Sequence, residues 1–177
     1  MSGPTAAMSG LAGAVRAPGA GQPDPGALRR FRAAYAAHRA AEGRGSGGVA
    51  ELLALPYLRR GPLARQWAVR ARTFDRFLDV VLAPCARAAA PRPLHVLDLG
   101  AGNGWLCYRV ARLGHRATAV DLRDDGVDGL GAAAAYRAHL PRLFARVCGS
   151  FDALPVRDAA ADIAVFNASL HYATDLA

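Results

Sequence analysis

The stretch that most limits what this chain can fold into is residues 94–106, LHVLDLGAGNGWL. A short apolar run carrying a single acid, Asp98, ends in glycines at every second position, Gly100, Gly102 and Gly104. A helix-like run then opens at Trp105. This order reads as strand, tight turn, helix. Glycines in such a turn let bare backbone come up against a nucleotide-like ligand and adopt conformations closed to other residues.

The same alternation continues to the end of the chain. Strand 94–99 is followed by helix 105–113, and strand 116–122 by a helix within 126–140 that Gly129 and Gly131 weaken. Strand 143–148 leads into the loop 149–160. Strand 162–168 precedes a helix start at His171. Nearly continuous apolar strands alternating with helices predict an α/β fold, a Rossmann-like doubly wound parallel sheet covered on both faces.

The leading part has a different character. Residues 1–26 are small residues with scattered Gly and Pro, too poor in apolar area to offset the entropy of ordering, and they predict a disordered tail. Residues 27–42 predict a helix with Phe31, Tyr35 and His38 roughly on one side, and GRGSGG at 43–48 predicts a flexible joint. A short helix or turn covers 49–60. Gly61-Pro62 then opens the strongest helix, with Trp67, Ala71, Phe74, Leu78 and Val81 as its apolar stripe. Arg65, Arg72 and Arg76 project elsewhere, beside Asp75 and Asp79. They form either a solvated face with local ion pairs or an anion-contacting lid. The expected organisation is therefore a tail (1–26), an N-terminal helical segment (27–90) and a ligand-binding domain (91–177).

At 177 residues the chain is long enough for one domain with a substantial core. It holds no apolar run long enough to span a bilayer, and its first residues lack the pattern of a secretory signal. All 22 basic residues are Arg, a bias that GC-rich coding produces, so the net charge of +8 argues only weakly for a nucleic-acid partner. The basicity also belongs to the leading segment: residues 1–92 carry 14 Arg against 5 acids, whereas residues 93–177 carry 8 Arg against 9 acids. Cys85, Cys107 and Cys148 have no zinc or disulfide spacing, so the expectation is a cytoplasmic protein without a metal.

Which ligand the turn serves is settled by counting glycines. A dinucleotide fold wants G-x-G-x-x-G, and the third glycine, counted from Gly100, falls on Trp105. A Walker loop needs a lysine, and the chain has none. The pattern Asp98-Leu-Gly-Ala-Gly-Asn-Gly104 resembles motif I of the class I S-adenosylmethionine-dependent methyltransferases, D/E-x-G-x-G-x-G. The likeness covers about residues 94–175.

The resemblance implies that the backbone of Gly100, Ala101, Gly102 and Gly104 cradles the methionine part of S-adenosylmethionine. It implies that Asp98 helps place the ammonium group. Asp121, 19 residues after Gly102, ends the second strand and would grip both ribose hydroxyls, with Leu122 beside it. Many members carry G-D-x-E-x-L-P after the third strand, where the acid meets the adenine amino group. Here the stretch is Gly149-Ser150-Phe151-Asp152-Ala153-Leu154-Pro155. Ser150 stands in for the usual acid, Asp152 either takes over or orients the loop, and Phe151 lies along the adenine or fills core.

Asn167 ends the fourth strand. The Asp/Asn-Pro-Pro-Tyr/Phe motif of base N-methylating enzymes is absent from that place, so no nucleic-acid partner is expected. The chain looks more like the small-molecule methyltransferases of the ubiquinone and menaquinone biosynthesis group, with a small-molecule or lipid-like acceptor. His171 is the catalytic candidate, as a general base or simply as the first residue of a helix.

The sheet of this family has seven strands in the order 3-2-1-4-5-7-6, and residue 177 falls just past the fourth. The expectation is a fragment or truncated product that holds most cofactor contacts but gives little or no turnover. Two other readings stand beside methyl transfer: a non-catalytic S-adenosylmethionine-binding or interaction module, and an NAD-binding oxidoreductase, which Trp105 disfavours.

Overall fold

The computed structural model of the chain describes residues 25–41, 48–150 and 153–172. The expected tail up to residue 24 and the Gly-rich joint up to residue 47 lie outside the described residues. Four strands form one sheet: β1 (His95–Leu99), β2 (Arg116–Asp121), β3 (Ala145–Cys148) and β4 (Ile163–Val165), in the order β3-β2-β1-β4. Every neighbouring pair is parallel, with Asp98 opposite Ala119 on one side and Val165 on the other. This is the α/β sheet that strand–helix alternation predicts, in the order 3-2-1-4 that the resemblance implies.

Two strands are shorter than their apolar runs. Leu143 and Phe144 pack into the core ahead of β3 without joining its ladder. Beyond Val165 the chain leaves the sheet: Ala168 takes a left-handed φ of 56° and the Ser169 hydroxyl donates to the carbonyl of Leu99. That bond ties the end of β4 to the end of β1, beside the glycine turn.

The two faces of the sheet bury different partners. Val96, Ala117 and Ala119 join the main core with helix α5 (Trp105–Arg112), whose Trp105, Leu106, Cys107, Tyr108 and Val110 are all buried. Leu97, Leu99 and Val120 form a smaller cluster against Leu154, Val156 and Ala161 of the loop between β3 and β4.

The main core extends into the leading segment. Helix α1 (Pro25–Ala41) starts two residues ahead of the expected position, and α2 (Val49–Ala54) comes next. Helix α3 begins at Ala64, behind a turn that contains Pro62, so this proline precedes the helix instead of opening it. One π turn, Leu78–Leu82, joins α3 (Ala64–Phe77) to α4 (Ala83–Ala89). The wider turn rotates the residues beyond it, and Leu82, not Val81, continues the buried row of Trp67 and Phe74. Trp105 packs edge-on against Trp67 and Phe74, with ring centroids 5.7 and 5.4 Å away. The bulky residue at the third-glycine position is thus a bolt between α5 and α3. From α5, Arg109 donates to the carbonyls of Leu55 and Leu53 at 2.6 and 2.9 Å, satisfying the open end of α2.

The expected helix within 126–140 is a 3₁₀ helix, Leu130–His139. Leu130, Ala133 and Tyr136 fall at three-residue steps, which one turn of a 3₁₀ helix aligns, and all three are buried. A Cβ on Gly131 would meet the Asp124 carbonyl oxygen at 2.6 Å, so the start of this helix lies hard against the loop after β2. Among the described residues no helix is long and apolar enough to cross a membrane.

Gly104 combines a left-handed φ of 75° with a close neighbour: a Cβ there would meet the Phe144 ring at 2.7 Å. Gly104→Ala is expected to cost about 1–2 kcal/mol for the backbone conformation and about 1–3 kcal/mol for overpacking. Urea denaturation measures the sum as a lowered midpoint at unchanged slope.

Candidate functional site

The glycine turn is fastened to the end of β2. The amides of Gly100 and Ala101 both donate to the Val120 carbonyl, at 2.9 and 3.0 Å. The amide of Gly102 donates to Oδ2 of Asp121 at 2.7 Å, and that of Arg123 to Oδ1 at 2.8 Å. Gly100, Gly102 and Gly104 all have positive φ, at 77, 53 and 75°. Asn103, buried in the turn, accepts the Trp105 amide through its side-chain oxygen at 3.2 Å and so starts α5.

Asp98 lies under this turn, 2% exposed at the end of β1. Its Oδ2 faces the Cys107 thiol at 3.8 Å, while Oδ1 has no hydrogen-bond partner. Burial, then the nearby charge of Asp121, pushes its pKa up to about 7, against a smaller opposing pull from the thiol. Burial and the Asp98 charge hold the Cys107 thiol well above its ordinary range, so that sulfur is inert near neutrality. Asp121 is raised as well, by burial above all, and its two amide bonds oppose the rise. Two carboxylates, one with an unpartnered oxygen and one pinned by amides, therefore stand beside the glycine turn.

A cleft opens above the turn. Gly100, Ala101, Gly102, Asp121 and Asn167 line it, joined by Asn103, Trp105 and Ala168. Of the other expected site residues, Asp98 lies beneath the turn and Gly104 is buried behind it against Phe144. Leu122 accepts a bond from Cys148 through its carbonyl, at 3.6 Å. Ser150 is buried past the end of β3. His171 is exposed on the 3₁₀ turn Leu170–Tyr172, its ring 4.0 Å from that of Tyr172, and it does not line the cleft. Phe151 and Asp152 lie outside the described residues.

The rest of the lining comes from residues the motif did not point to. Tyr35 and Arg39 arrive from α1, Trp67 and Arg70 from α3, and Arg123 and Asp128 from the loop after β2. Asp128, 6% exposed, is the hub: its Oδ2 pairs with Arg39 at 2.7 Å and its Oδ1 accepts from Asn103 at 3.4 Å. Arg123 pairs with Asp125 at 2.7 Å and approaches Asp128 at 3.8 Å. The guanidinium of Arg70 lies 5.0 Å over the Trp67 ring.

The face of α1 that meets the domain is Arg32, Tyr35 and Arg39, which are half-buried, while Phe31 and His38 are exposed. The predicted side of Phe31, Tyr35 and His38 is therefore rotated. Among the described side chains of α1, long polar ones and the Tyr35 ring make the contacts with the domain. No sequence signal marks Arg39 or Asp128, since their pairing spans 89 positions.

Residues 97–177 match the family model of a methyltransferase domain. That part of the chain is similar to the methyltransferase domains of this family. The matched region starts within β1 and so contains the glycine turn, Asp98 and Asp121. None of the curated proteins matches the chain. A crystal structure of Burkholderia thailandensis 1,6-didemethyltoxoflavin-N1-methyltransferase, with bound 1,6-didemethyltoxoflavin and S-adenosylhomocysteine, is 25% identical over 61% of this chain, with a TM-score of 0.36. The chain spans half the length of that protein. Among the described residues, no group of three or more His, Cys, Asp or Glu could hold a metal ion.

The raised pKa of Asp98 has a stability consequence. An acid that binds its proton more tightly when folded stabilises the fold fully below its unfolded value near 3.9, and this is lost as pH rises through about 7. Wild type is expected to lose of the order of a few kcal/mol between pH 4 and 7.5 from this group. Asp98→Asn should lack that share of the slope. Urea midpoints of both proteins across this range measure the difference.

Proposed function

We propose that the chain binds S-adenosylmethionine in the cleft over the glycine turn, for methyl transfer to a small-molecule or lipid-like acceptor. The observation that carries this reading is the placement of Asp98 and Asp121 about the turn. Oδ1 of Asp98, buried without a partner, suits a cationic group, and an ammonium is the cation this cofactor would bring there. Asp121 already accepts two amides, and each of its oxygens keeps a lone pair for a ribose hydroxyl. Arg70, held over Trp67 on the cleft wall, suits the carboxylate at the methionine end.

When bound, the sulfonium supplies an already activated methyl group. The chain's own work is then alignment and exclusion of water. The clamped turn fixes where the donor lies, with its amides committed in advance to Val120 and Asp121. Trp67 and Trp105 give the cleft its aromatic wall. His171, exposed and away from the lining, is not assigned proton transfer. Asn167 and Ala168 line the cleft from the segment after β4. A module that binds the cofactor without catalysis would use the same contacts. The NAD reading loses further ground, because Trp105 is bolted between Trp67 and Phe74 where a dinucleotide fold needs glycine.

Calorimetric titration with S-adenosylhomocysteine and with NAD tests the cofactor. Binding of the first alone is expected, and Asp121→Ala should weaken it by about tenfold to a hundredfold. Binding of NAD alone would reject the reading. Because a cation over Asp98 draws its proton off, association near pH 6.5 should release protons, seen as a heat that varies with the buffer's ionisation enthalpy.

A further inference from the structure

We propose that helix α1 is a self-occluding plug, so that its docking and cofactor binding compete for one cleft. This rests on the cofactor reading above and adds a regulation of that same site. The cleft encloses about 60 Å³, room for a few water molecules, whereas pockets for small-molecule ligands run from about 300 Å³ upward. Tyr35 and Arg39 are part of the wall that narrows it. Both line the cleft together with Gly102 and Asp121, the groups the cofactor would have to reach.

The contacts that hold α1 are made to the site itself. Arg39 pairs with Asp128, which also holds Asn103 of the glycine turn. The Tyr35 ring has the guanidiniums of Arg39 and Arg123 5.6 and 5.5 Å from its centroid, and it meets Tyr172 edge-on at 5.2 Å. The side chain of Arg32 reaches the Cys148 sulfur at 3.1 Å. Helix α1 thus meets the loop after β2, the end of β3 and the 3₁₀ turn after β4, on the side where ligands of open parallel sheets bind.

No described side chain of α1 is fully buried. An element whose described side chains are at most half-buried, and meet the domain largely through polar tips, belongs to the low-stability end of a fold and opens locally without global unfolding. The docked helix lowers apparent affinity by the fraction of time the cleft stands open. Breaking its latch removes that penalty.

The test uses the full chain, with Arg39→Ala and Tyr35→Ala as independent variants. Each is titrated with S-adenosylhomocysteine, and amide hydrogen exchange of residues 25–41 is measured with and without it. In wild type, saturating S-adenosylhomocysteine is expected to speed exchange in α1 severalfold, and both variants are expected to bind about tenfold more tightly. Slower or unchanged exchange in α1 on binding, or weaker binding by both variants, overturns the plug and leaves the cofactor reading standing. Failure of wild type and both variants to bind S-adenosylhomocysteine defeats the cofactor reading, and the plug with it.

Discussion

The structure depends on the bond between Gly102 and Asp121. One carboxylate at the end of β2 accepts an amide from the turn after β1 and another from its own loop. With the Val120 carbonyl holding Gly100 and Ala101, this fixes the turn before any ligand arrives. The arrangement needs parallel neighbours in register, which pairs Leu99 with Val120 and sets the two carboxyl ends side by side. Pre-organisation of this kind spares the binding step the cost of ordering a loop.

Around that clamp, charge is arranged in layers. Asp98 lies deepest, with a raised pKa and an unpartnered oxygen. Asp121 is half-buried and pinned by amides. Asp128 is buried too, where it meets Arg39 and the flank of Arg123. A buried carboxylate oxygen without a partner is expensive, and this one occurs beneath the turn where a cation would be most useful. The aromatic bolt of Trp67, Phe74 and Trp105 supports the layers from behind and carries the leading helices into the same core as the sheet.

Much of the sheet was legible because its signals are local. Alternating strands and helices, and three glycines at two-residue spacing, depend only on neighbouring positions. The weaker readings failed where packing overrides local preference. Gly129 and Gly131 marked 126–140 as a poor α-helix, but its 3₁₀ pitch comes from Leu130, Ala133 and Tyr136 meeting the core at steps of three. The stripe of α3 was right as far as Leu78 and then slipped by one residue at a π turn with no signature in sequence.

The chain's amino-acid order by itself determined a parallel α/β sheet, a glycine turn after β1 and acids at the ends of β1 and β2. Each comes from periodicity or spacing along a few tens of residues. Only the tertiary structure decided what stands over the turn. Arg39 meets Asp128 across 89 positions, and Arg32, Tyr35 and Arg39 face inward although Phe31 is the more apolar neighbour. The docking of α1 is set by the fit of charged tips to carboxylates and rings that the fold first has to assemble. No pattern within one helix encodes the position of partners that distant.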